Sequence, residues 1–270
     1  METPDLYDLI KSLNYGSKYH IGVVFLENNR NRKCALPHEH TIHSSSICNL
    51  FKGIPGELAR CIQCRNRNIK KAEKEKKPFW EYCINGVYEY TAPVVLSGKT
   101  VAVIFVGNIL TSEGKEVLQT KMKVSDDILN SMEETISEQR AETISRIIAS
   151  YISMLLEKFP NEKNTVKSII ENVKGYILAN LKYELKLSEV AELFFYNEVY
   201  LGRLFKNEVG ESFNDYVNRQ RINLASQLLH TELSVTQISG QVGYNNVSYF
   251  NRVFKTLVGV TPTEYRNSLV

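Results

Sequence analysis

The sequence predicts an α/β amino-terminal domain, built on an antiparallel sheet with helices, and an all-α carboxyl-terminal domain with two helix-turn-helix units. Three observations lead to this prediction. The chain of 270 residues is long enough for two domains of ordinary size. Strand-like patterns occur before residue 111, whereas short helices divided by polar turns repeat after residue 165. The five cysteines all lie in the first third, so the two halves differ in chemistry.

The charge and hydropathy of the chain exclude two classes of protein. A net charge of +3 is too small for a protein that binds nucleic acid over its whole surface, so any DNA site must be local. The longest apolar stretches, Val101–Val106 and Ile147–Leu156, are much shorter than the roughly 20 residues that span a bilayer. Met1–Asp8 carries acidic residues where a secretion signal is basic. We therefore expect a cytoplasmic protein with reduced thiols and no membrane partner.

The first domain is predicted over residues 1–124. Apolar residues at helical spacing in Leu6–Leu13 lead into Tyr19–Leu26, which is dense in β-branched and aromatic residues and predicts a strand. A further helical pattern, Gly56–Lys77, ends at Pro78 because a proline cannot donate into a helix. Three strand-like segments follow, namely Phe79–Ile84, Val87–Leu96 and Thr100–Leu110. We expect these segments to form a small antiparallel sheet flanked by helices.

Residues 125–159 predict one long amphipathic helix, or two nearly collinear ones. Apolar residues between Asp126 and Phe159 fall mostly at three- and four-residue steps over about nine turns. A helix of this length cannot bury its whole apolar stripe against one small sheet, so we expect part of it to form a dimer interface with a second copy. The alternative, a helix that only covers the sheet, stays open. A proline and polar residues then break the pattern, which places a linker at residues 160–164.

The second domain, residues 165–270, contains an internal repeat of helix-turn-helix type. In the first unit, the short helix Leu187–Phe194 precedes a turn and a second helix that Asn197 opens as a cap. In the second unit, Val235–Val242 is the short helix and Asn246–Leu257 is the helix after the turn. The repetition predicts two similar DNA-reading elements.

The second helix of the first unit has two distinct faces. Its inner face is predicted to comprise Leu201, Leu204, Phe205 and Val209. Its outer face then comprises Val199, Gly202, Arg203 and Lys206. A helix that presents small, apolar and basic residues outward can enter a major groove, where the Arg203 guanidinium can bond both O6 and N7 of a guanine. We therefore expect the outer face to bind DNA.

The corresponding helix of the second unit has a similar division. Its inner residues are predicted to be Phe250, Val253, Phe254 and Leu257. Its outer residues are predicted to be Asn246, Val247, Ser248, Asn251, Arg252 and Lys255. Asn251 suits adenine, Arg252 a base or the backbone, and Lys255 a phosphate. An ordinary solvated polar face is the alternative for one isolated helix, and the occurrence of two such faces in one repeat argues against it.

The second unit lies in a dense, ungapped run: Ile238-x3-Val242-Gly243-Tyr244-x3-Ser248-Tyr249-Phe250-x-Arg252-x-Phe254-Lys255-x3-Gly259-x2-Pro262-x2-Tyr265-Arg266. This run closely resembles the signature of the AraC/XylS family of transcription regulators. The resemblance implies double-stranded DNA and RNA polymerase as partners, and activation of transcription. It also implies that a connecting helix, Phe213–Leu229, holds the two units in successive major grooves about 34 Å apart.

Four cysteines of the first domain, Cys48, Cys61, Cys64 and Cys83, follow the pattern C-x12-C-x2-C-x18-C. Such thiols could complete a tetrahedral site for zinc or another thiophilic metal. Two alternatives stay open. The thiols could form a redox switch whose pKa is lowered by the neighbouring Arg65 and Arg67, or they could be small buried groups that line a pocket.

The same segment carries a second resemblance. It rests on Ile47-Cys48, Cys61-x2-Cys64, Phe79-x3-Cys83-x2-Gly86, Ala92-Pro93-Val94 and Val106-Gly107-Asn108-Ile109-Leu110. These motifs resemble the sensory domain of the PocR type. The resemblance implies a PAS-like ligand-binding fold over roughly residues 15–155, and a small-molecule effector. Members of this family often have a histidine directly after the last cysteine, where this chain has Ile84.

A pocket for a small organic molecule needs apolar walls with a few polar groups, and tyrosine supplies both. The candidate ligand-binding residues are Phe79, Trp80, Tyr82, Tyr88 and Tyr90. Alternation along the strand places Tyr88 and Tyr90 on one face and Glu89 on the other. Packing in the core explains either face equally well.

The predicted function is that of a ligand-responsive, sequence-specific transcription regulator that activates transcription as a homodimer. The sequence contains no G-x-S-x-G, G-x4-G-K-[ST], G-x-G-x2-G or H-E-x2-H motif, so we do not expect an enzyme. The alternative is a regulator of the same DNA-binding type that responds to metal or thiol redox state through the four cysteines.

Overall fold

A computed structural model describes residues 3–26, 31–41, 45–54, 56–133, 136–160 and 166–268. The chain divides into two compact units, residues 1–169 and 170–270. The predicted linker at residues 160–164 lies, apart from Pro160, outside the described residues. The first unit contains an antiparallel sheet with helices and the second unit is helical, so the predicted fold class is confirmed.

The first unit is built on four antiparallel strands in the order β1-β4-β3-β2. The strands are β1 (His20–Phe25), β2 (Phe79–Tyr82), β3 (Tyr88–Leu96) and β4 (Lys99–Ile109). The β3–β4 hairpin turns at Ser97 and Gly98, which have positive φ angles of 49° and 78°. Glycine adopts this conformation without strain, which explains the position of Gly98 in a tight hairpin.

Helices cover both faces of this sheet. On one face, here named the α7 face, α1 (Leu6–Asn14) and α7 (Glu138–Lys158) pack against Ala102, Ile104 and Val106 of β4. On the opposite face, named the α4 face, α4 (Glu57–Glu75) packs against Phe105. The remaining helices of this unit are α2 (His38–Thr41), α3 (Ser46–Lys52), α5 (Ser112–Glu116) and α6 (Asp126–Asn130). The period of two along β4 therefore sends alternate side chains into two separate cores.

Of the two predictions for residues 125–159, one continuous helix or two helices, the continuous helix is wrong. The segment forms α6 and α7, which are separated because Glu133 leaves the helix and pairs with the end of β4. Its N–H donates to the Asn108 carbonyl at 3.0 Å, and its carbonyl accepts from the Leu110 N–H at 2.7 Å. Ser137 then caps the new helix by accepting from the Arg140 N–H. The apolar stripe is divided accordingly, with Leu129 packed on the side of α3 and α7 packed on the α7 face.

The second unit contains both predicted helix-turn-helix units. Its helices are α8 (Val166–Ala179), α9 (Leu187–Leu193), α10 (Glu198–Val209), α11 (Phe213–Leu228), α12 (Val235–Gln241), α13 (Val247–Val258) and α14 (Pro262–Asn267). The pairs α9–α10 and α12–α13 are the two units, and α11 contacts α10, α12 and α13. One helix therefore connects both units, as the resemblance implied.

Candidate nucleic-acid interface and ligand cavity

The two reading helices begin and end in the same way. Asn197 caps α10 by accepting from the N–H groups of Val199 and Tyr200, and Asn246 caps α13 by accepting from the Tyr249 N–H at 2.8 Å. Each helix ends at a glycine with a φ angle near 90°, which is 85° at Gly210 and 93° at Gly259. These equivalent caps give the two helices the same length of 12 residues.

The predicted outer face of α10 is largely exposed. Val199 is 67% exposed, and Arg203 and Lys206 are exposed as well. Gly202 packs against α9: a Cβ atom at this position would be 3.1 Å from the Leu187 side chain. Gly202 therefore has a packing role that is independent of any contact with DNA.

The residues predicted for the outer face of α13 form three groups, which differ in exposure and in hydrogen bonding. Ser248, Arg252 and Lys255 are exposed, and the Arg252 guanidinium lies 5.2 Å from the centre of the Tyr249 ring. Val247 and Asn251 are half-buried. The Asn246 side chain is held by its cap, which restricts its use in reading a base. The prediction that Leu257 points inward is wrong, because this side chain is 49% exposed.

Sequence reasoning missed two exposed tyrosines on these helices. Tyr200 is 43% exposed and Tyr249 is 41% exposed, and each lies three residues after the capping asparagine of its helix. Their equivalent positions in the repeat are the signal that could have identified them. Both are available for contacts with a nucleic-acid backbone.

In the first unit, all four cysteines of the predicted cluster line one largely enclosed cavity on the α4 face. It encloses about 30 Å³ of free volume, and about 490 Å³ when the open space at its mouth is counted. The cavity lies among α3, α4, the turn between β2 and β3, and the start of β3. Its described lining is Cys48, Phe51, Lys52, Cys61, Cys64, Arg65, Asn68, Cys83, Ile84, Asn85, Val87 and Glu89.

The thiols of Cys48, Cys61 and Cys83 are protonated at neutral pH, because burial raises their pKa values. Burial raises the pKa of Cys48 and raises the pKa of Cys61 from 9.0 to about 11. Burial likewise raises the pKa of Cys83. Lys52 and Arg65 lower the pKa of Cys61 less than burial raises it, and Arg67 Nη2 lies 3.6 Å from Cys64 Sγ. Thiols in this state are poor nucleophiles, which argues against the redox-switch hypothesis.

No three His, Cys, Asp or Glu side chains among the described residues are grouped so that they could hold a metal ion. Cys48, Cys61, Cys64 and Cys83 line one cavity, but no three of these described residues form a group that could hold a metal ion. Of the three interpretations of these cysteines, the lining of a pocket agrees best with this arrangement.

The same cavity contains five buried polar side chains, of which sequence reasoning named only Arg65. Lys52, Arg65, Asn68, Asn85 and Glu89 are between 3% and 7% exposed. Burial lowers the pKa of Lys52, and it lowers the pKa of Arg65 to about 10, so that Arg65 stays charged at neutral pH. Arg65 Nη2 also donates to the Thr41 carbonyl.

The strand next to the cavity leaves room for the carboxylate of Glu89. A Cβ atom at Gly107 would lie 2.8 Å from Glu89 Oε2, so a larger residue on β4 would require the Glu89 carboxylate to move. A second, smaller cavity adjoins the cavity on the α4 face. Four residues line both cavities, namely Cys48, Cys83, Val87 and Glu89. Gly107 thus explains part of the glycine-containing motif at the end of β4.

None of the five predicted ligand-binding aromatic residues lines the cavity within the described part of the chain. Trp80, Tyr82, Tyr88 and Tyr90 lie on the α7 face, where Trp80 and Tyr88 stack with ring centres 4.9 Å apart and the other ring pairs are tilted. Phe79 lies on the α4 face, where Lys71 Nζ is 4.0 Å from the centre of its ring. These aromatic side chains therefore contribute to the packing on the α7 face and the α4 face of the sheet.

Two family models match the chain. The sensory domain found in PocR matches residues 16–159, and a helix-turn-helix domain matches residues 190–268. The class of protein defined by this arrangement is that of DNA-binding transcription regulators of the AraC type. The chain belongs to the family that carries the sensory domain found in PocR. Both resemblances predicted from the sequence are confirmed.

The chain is also similar, over different shares of its length, to individual proteins. The chain is 28% identical to the regulatory protein PocR of Salmonella typhimurium over 251 residues, which cover 83% of this chain and 82% of that protein. It is 34% identical to the uncharacterized HTH-type transcriptional regulator YfiF of Bacillus subtilis over 136 residues, which cover 47% of this chain and 43% of that protein. The carboxyl-terminal domain of the response regulator yesN from Fusobacterium nucleatum is 34% identical, with a TM-score of 0.35 and coverage of 36% of this chain and 95% of that domain. In the described residues, no helix is long and apolar enough to cross a membrane.

Proposed function

We propose that this transcription regulator reads a specific DNA sequence with α10 and α13, and that a small organic molecule bound in the first unit controls this activity. The observation that carries the proposal is the equivalence of the two helices. Each has a capping asparagine, an exposed arginine six residues later and an exposed lysine three residues after that. Two equivalent reading helices joined by α11 suit two successive major grooves.

The roles of the outer residues follow from their chemistry. Arg203 and Arg252 suit the O6 and N7 atoms of guanines, because a guanidinium makes paired hydrogen bonds. Lys206 and Lys255, one turn further along each helix, suit phosphates. Asn251 suits adenine, but its Oδ1 atom is buried in the described structure and has to turn outward before it can accept from the base.

The cavity on the α4 face supports small-molecule control. It is largely enclosed, and it combines apolar walls with a few buried polar groups, which is the usual composition of a ligand pocket. The sheet that forms one of its walls packs on its other face against α7. A ligand that shifts β3 can therefore change the packing of α7.

The exposed face of α7 supports a homodimer. Thr143, Ile147, Ser150 and Met154 follow one another at steps of four, three and four residues, which is the seam spacing of a coiled coil. Ile147 is 42% exposed and Met154 is 36% exposed. Two such seams can cover each other, and two copies of the chain would double the number of reading helices. RNA polymerase as a partner and activation as the sign of control remain predictions from the family resemblance.

Selection of DNA sites from a random library by the full chain tests this function. We expect enriched sequences with two conserved segments about one helical turn, or 10 to 10.5 base pairs, apart. Fluorescence anisotropy on the enriched site then measures how small molecules change the affinity. Failure to enrich any sequence, or an affinity that no small molecule changes, would contradict the proposal.

A further inference from the structure

Val199 is an exposed apolar side chain at the start of α10. It is 67% exposed, more than any other large apolar side chain in the part of the second unit that the structure describes. Packing against the rest of that unit therefore does not explain a valine here. Helix propensity does not explain it either, because a β-branched residue is a weaker helix former than alanine or leucine. Single exposed apolar residues are common on protein surfaces, so the place of Val199 on its helix decides what it can contact.

Val199 lies beside the arginine that we propose as a base reader. It precedes Arg203 by four residues, so the two side chains share one side of α10. Their Cβ atoms are about 5 to 6 Å apart, and successive base pairs of DNA are about 3.4 Å apart. The residue between them on this side is Gly202, which has no side chain to hold the helix away from a groove. When Arg203 bonds a guanine, Val199 therefore faces a base within two base pairs of it.

The chemistry of valine selects one feature of that base. The side chain has neither a hydrogen-bond donor nor an acceptor, so it cannot read the polar groups of a base edge. Against such an edge it would displace water without replacing the lost hydrogen bonds, which is unfavourable. The apolar group that the major groove presents is the C5 methyl group of thymine, and apolar side chains distinguish bases by contact with it. Val199 therefore favours a base that carries a methyl group at C5.

The equivalent position of α13 has a different chemistry. Val199 lies two residues after the capping Asn197, and Ser248 lies two residues after the capping Asn246. Ser248 is also exposed, but its hydroxyl group both donates and accepts hydrogen bonds, which suits either kind of base pair. We therefore expect dependence on a methyl group from the valine of α10, in one half of the DNA site, and not from the serine of α13.

We propose that Val199 reads a C5 methyl group in the major groove. The half of the DNA site that α10 binds then requires a thymine within two base pairs of the guanine bound by Arg203. 5-Methylcytosine carries a methyl group at the same ring position and satisfies the same contact. This inference rests on the proposed reading of DNA by α10 and α13, and it names a specificity-determining residue and the group that it recognises.

Removal of single methyl groups from the selected DNA site tests this inference. Each thymine of the site is replaced in turn by deoxyuridine, which keeps every hydrogen-bonding group and lacks only the methyl group. Fluorescence anisotropy with the full chain should show about a fourfold loss of affinity at one thymine, which is the factor expected for exposure of one buried carbon group. This thymine should lie in the half of the site whose base preference Arg203→Ala relaxes. A cytosine at this position should bind more weakly than a 5-methylcytosine.

Variants assign the effect to the side chain. Val199→Ser removes both methyl groups and gives α10 the residue that α13 has, so thymine and deoxyuridine should then bind equally. Serine and valine have similar helix propensities, so α10 should stay folded. Val260→Ser, the same change at a 40% exposed position between α13 and α14, is the control and should keep the full difference. Circular dichroism checks the fold, and Val199→Asn is the second variant where Val199→Ser does not fold.

Equal binding of thymine and deoxyuridine throughout the half that Arg203 contacts would overturn the inference. A difference that Val199→Ser leaves intact would overturn it as well, because the methyl group would then act through the shape of the DNA or through another residue. Arg203→Ala separates these results from failure of the proposed function. A base preference that still relaxes in this variant keeps α10 as a reading helix and refutes methyl recognition alone. Failure to enrich any DNA sequence would contradict both proposals.

Discussion

Arg203 and Arg252 occupy equivalent positions in two helices of equal length. Each lies six residues after the asparagine that caps its helix, and each is exposed. The buried residues two positions before and after each arginine are also equivalent, with Leu201 and Phe205 in α10 matching Phe250 and Phe254 in α13. The repeat therefore fixes which side of each helix faces outward, and it gives the two arginines matching places from which to read bases.

The capping asparagines should contribute to stability more than to DNA specificity. Asn197→Ala and Asn246→Ala each remove a side-chain acceptor from the first turn, so we expect losses of about 0.5–2 kcal/mol in the free energy of unfolding. Urea denaturation followed by circular dichroism measures this loss. Asn246→Ser keeps a cap and should restore both stability and DNA affinity. Base specificity that changes in Asn246→Ser, with stability intact, would instead assign Asn246 a reading role.

Arg221 should be essential to the second unit. Its guanidinium donates to the carbonyl groups of Leu181 at 2.9 Å and Tyr183 at 2.7 Å. Arg221→Met leaves both carbonyl groups without this donor, and we expect a loss of roughly 2–3 kcal/mol in the free energy of unfolding. Arg219→Met on the same helix removes an exposed ion pair with Glu211 and should cost less than about 1 kcal/mol. Equal losses in the two variants would contradict this distinction.

The thiol of Cys61 should react slowly at neutral pH. Burial raises its pKa from 9.0 to about 11, so the reactive thiolate is about a hundredfold rarer at pH 8 than for an ordinary thiol. Alkylation with iodoacetamide, followed by peptide mass spectrometry, should give a rate that rises with pH until about pH 11. A free cysteine in a short peptide is the reference.

Fast alkylation of Cys61 at pH 8 would favour the redox-responsive alternative. Stoichiometric zinc in native mass spectra, lost on Cys61→Ser, would favour the metal-responsive alternative. Either result would show that the cysteines do more than line the cavity.

The exposed seam on α7 should mediate association of two copies. Replacement of Ile147 and Met154 by aspartate puts charges into an apolar contact, so we expect the dimer dissociation constant to rise at least tenfold. Light scattering after size-exclusion chromatography measures the molecular mass as a function of concentration. Glu157→Lys, an exposed change on the same helix, is the control. A double variant that stays dimeric would exclude this seam as the interface.

The helix-turn-helix units were predictable because their signals are local. Buried positions such as Leu201 and Phe205 recur at helical spacing, and caps and terminal glycines mark the ends of the helices. The break between α6 and α7 was not predictable in this way. It depends on hydrogen bonds of Glu133 with Asn108 and Leu110, which are distant in sequence.

The lining of the cavity was only partly predictable. The cysteines were recognised by their spacing, but Lys52, Arg65 and Glu89 come from three different elements, and charged residues are normally exposed. A local signal existed in α4, where Arg65 and Asn68 share the helical spacing of Cys61 and Cys64. The alternation of side chains along β3 predicts that Tyr90 and Glu89 lie on opposite faces of the sheet. The sequence does not show which of these faces contains a cavity.

The most direct test of sequence-specific reading by two helices compares Arg203→Ala and Arg252→Ala on the selected DNA site and on its single-base variants. We expect each substitution to cost about 1–3 kcal/mol of binding and to relax preference at one position, with the two positions about one helical turn apart. Lys206→Ala should weaken binding to all sequences alike. Unchanged affinity and unchanged base preference in both arginine variants would contradict the assignment of α10 and α13 as reading helices.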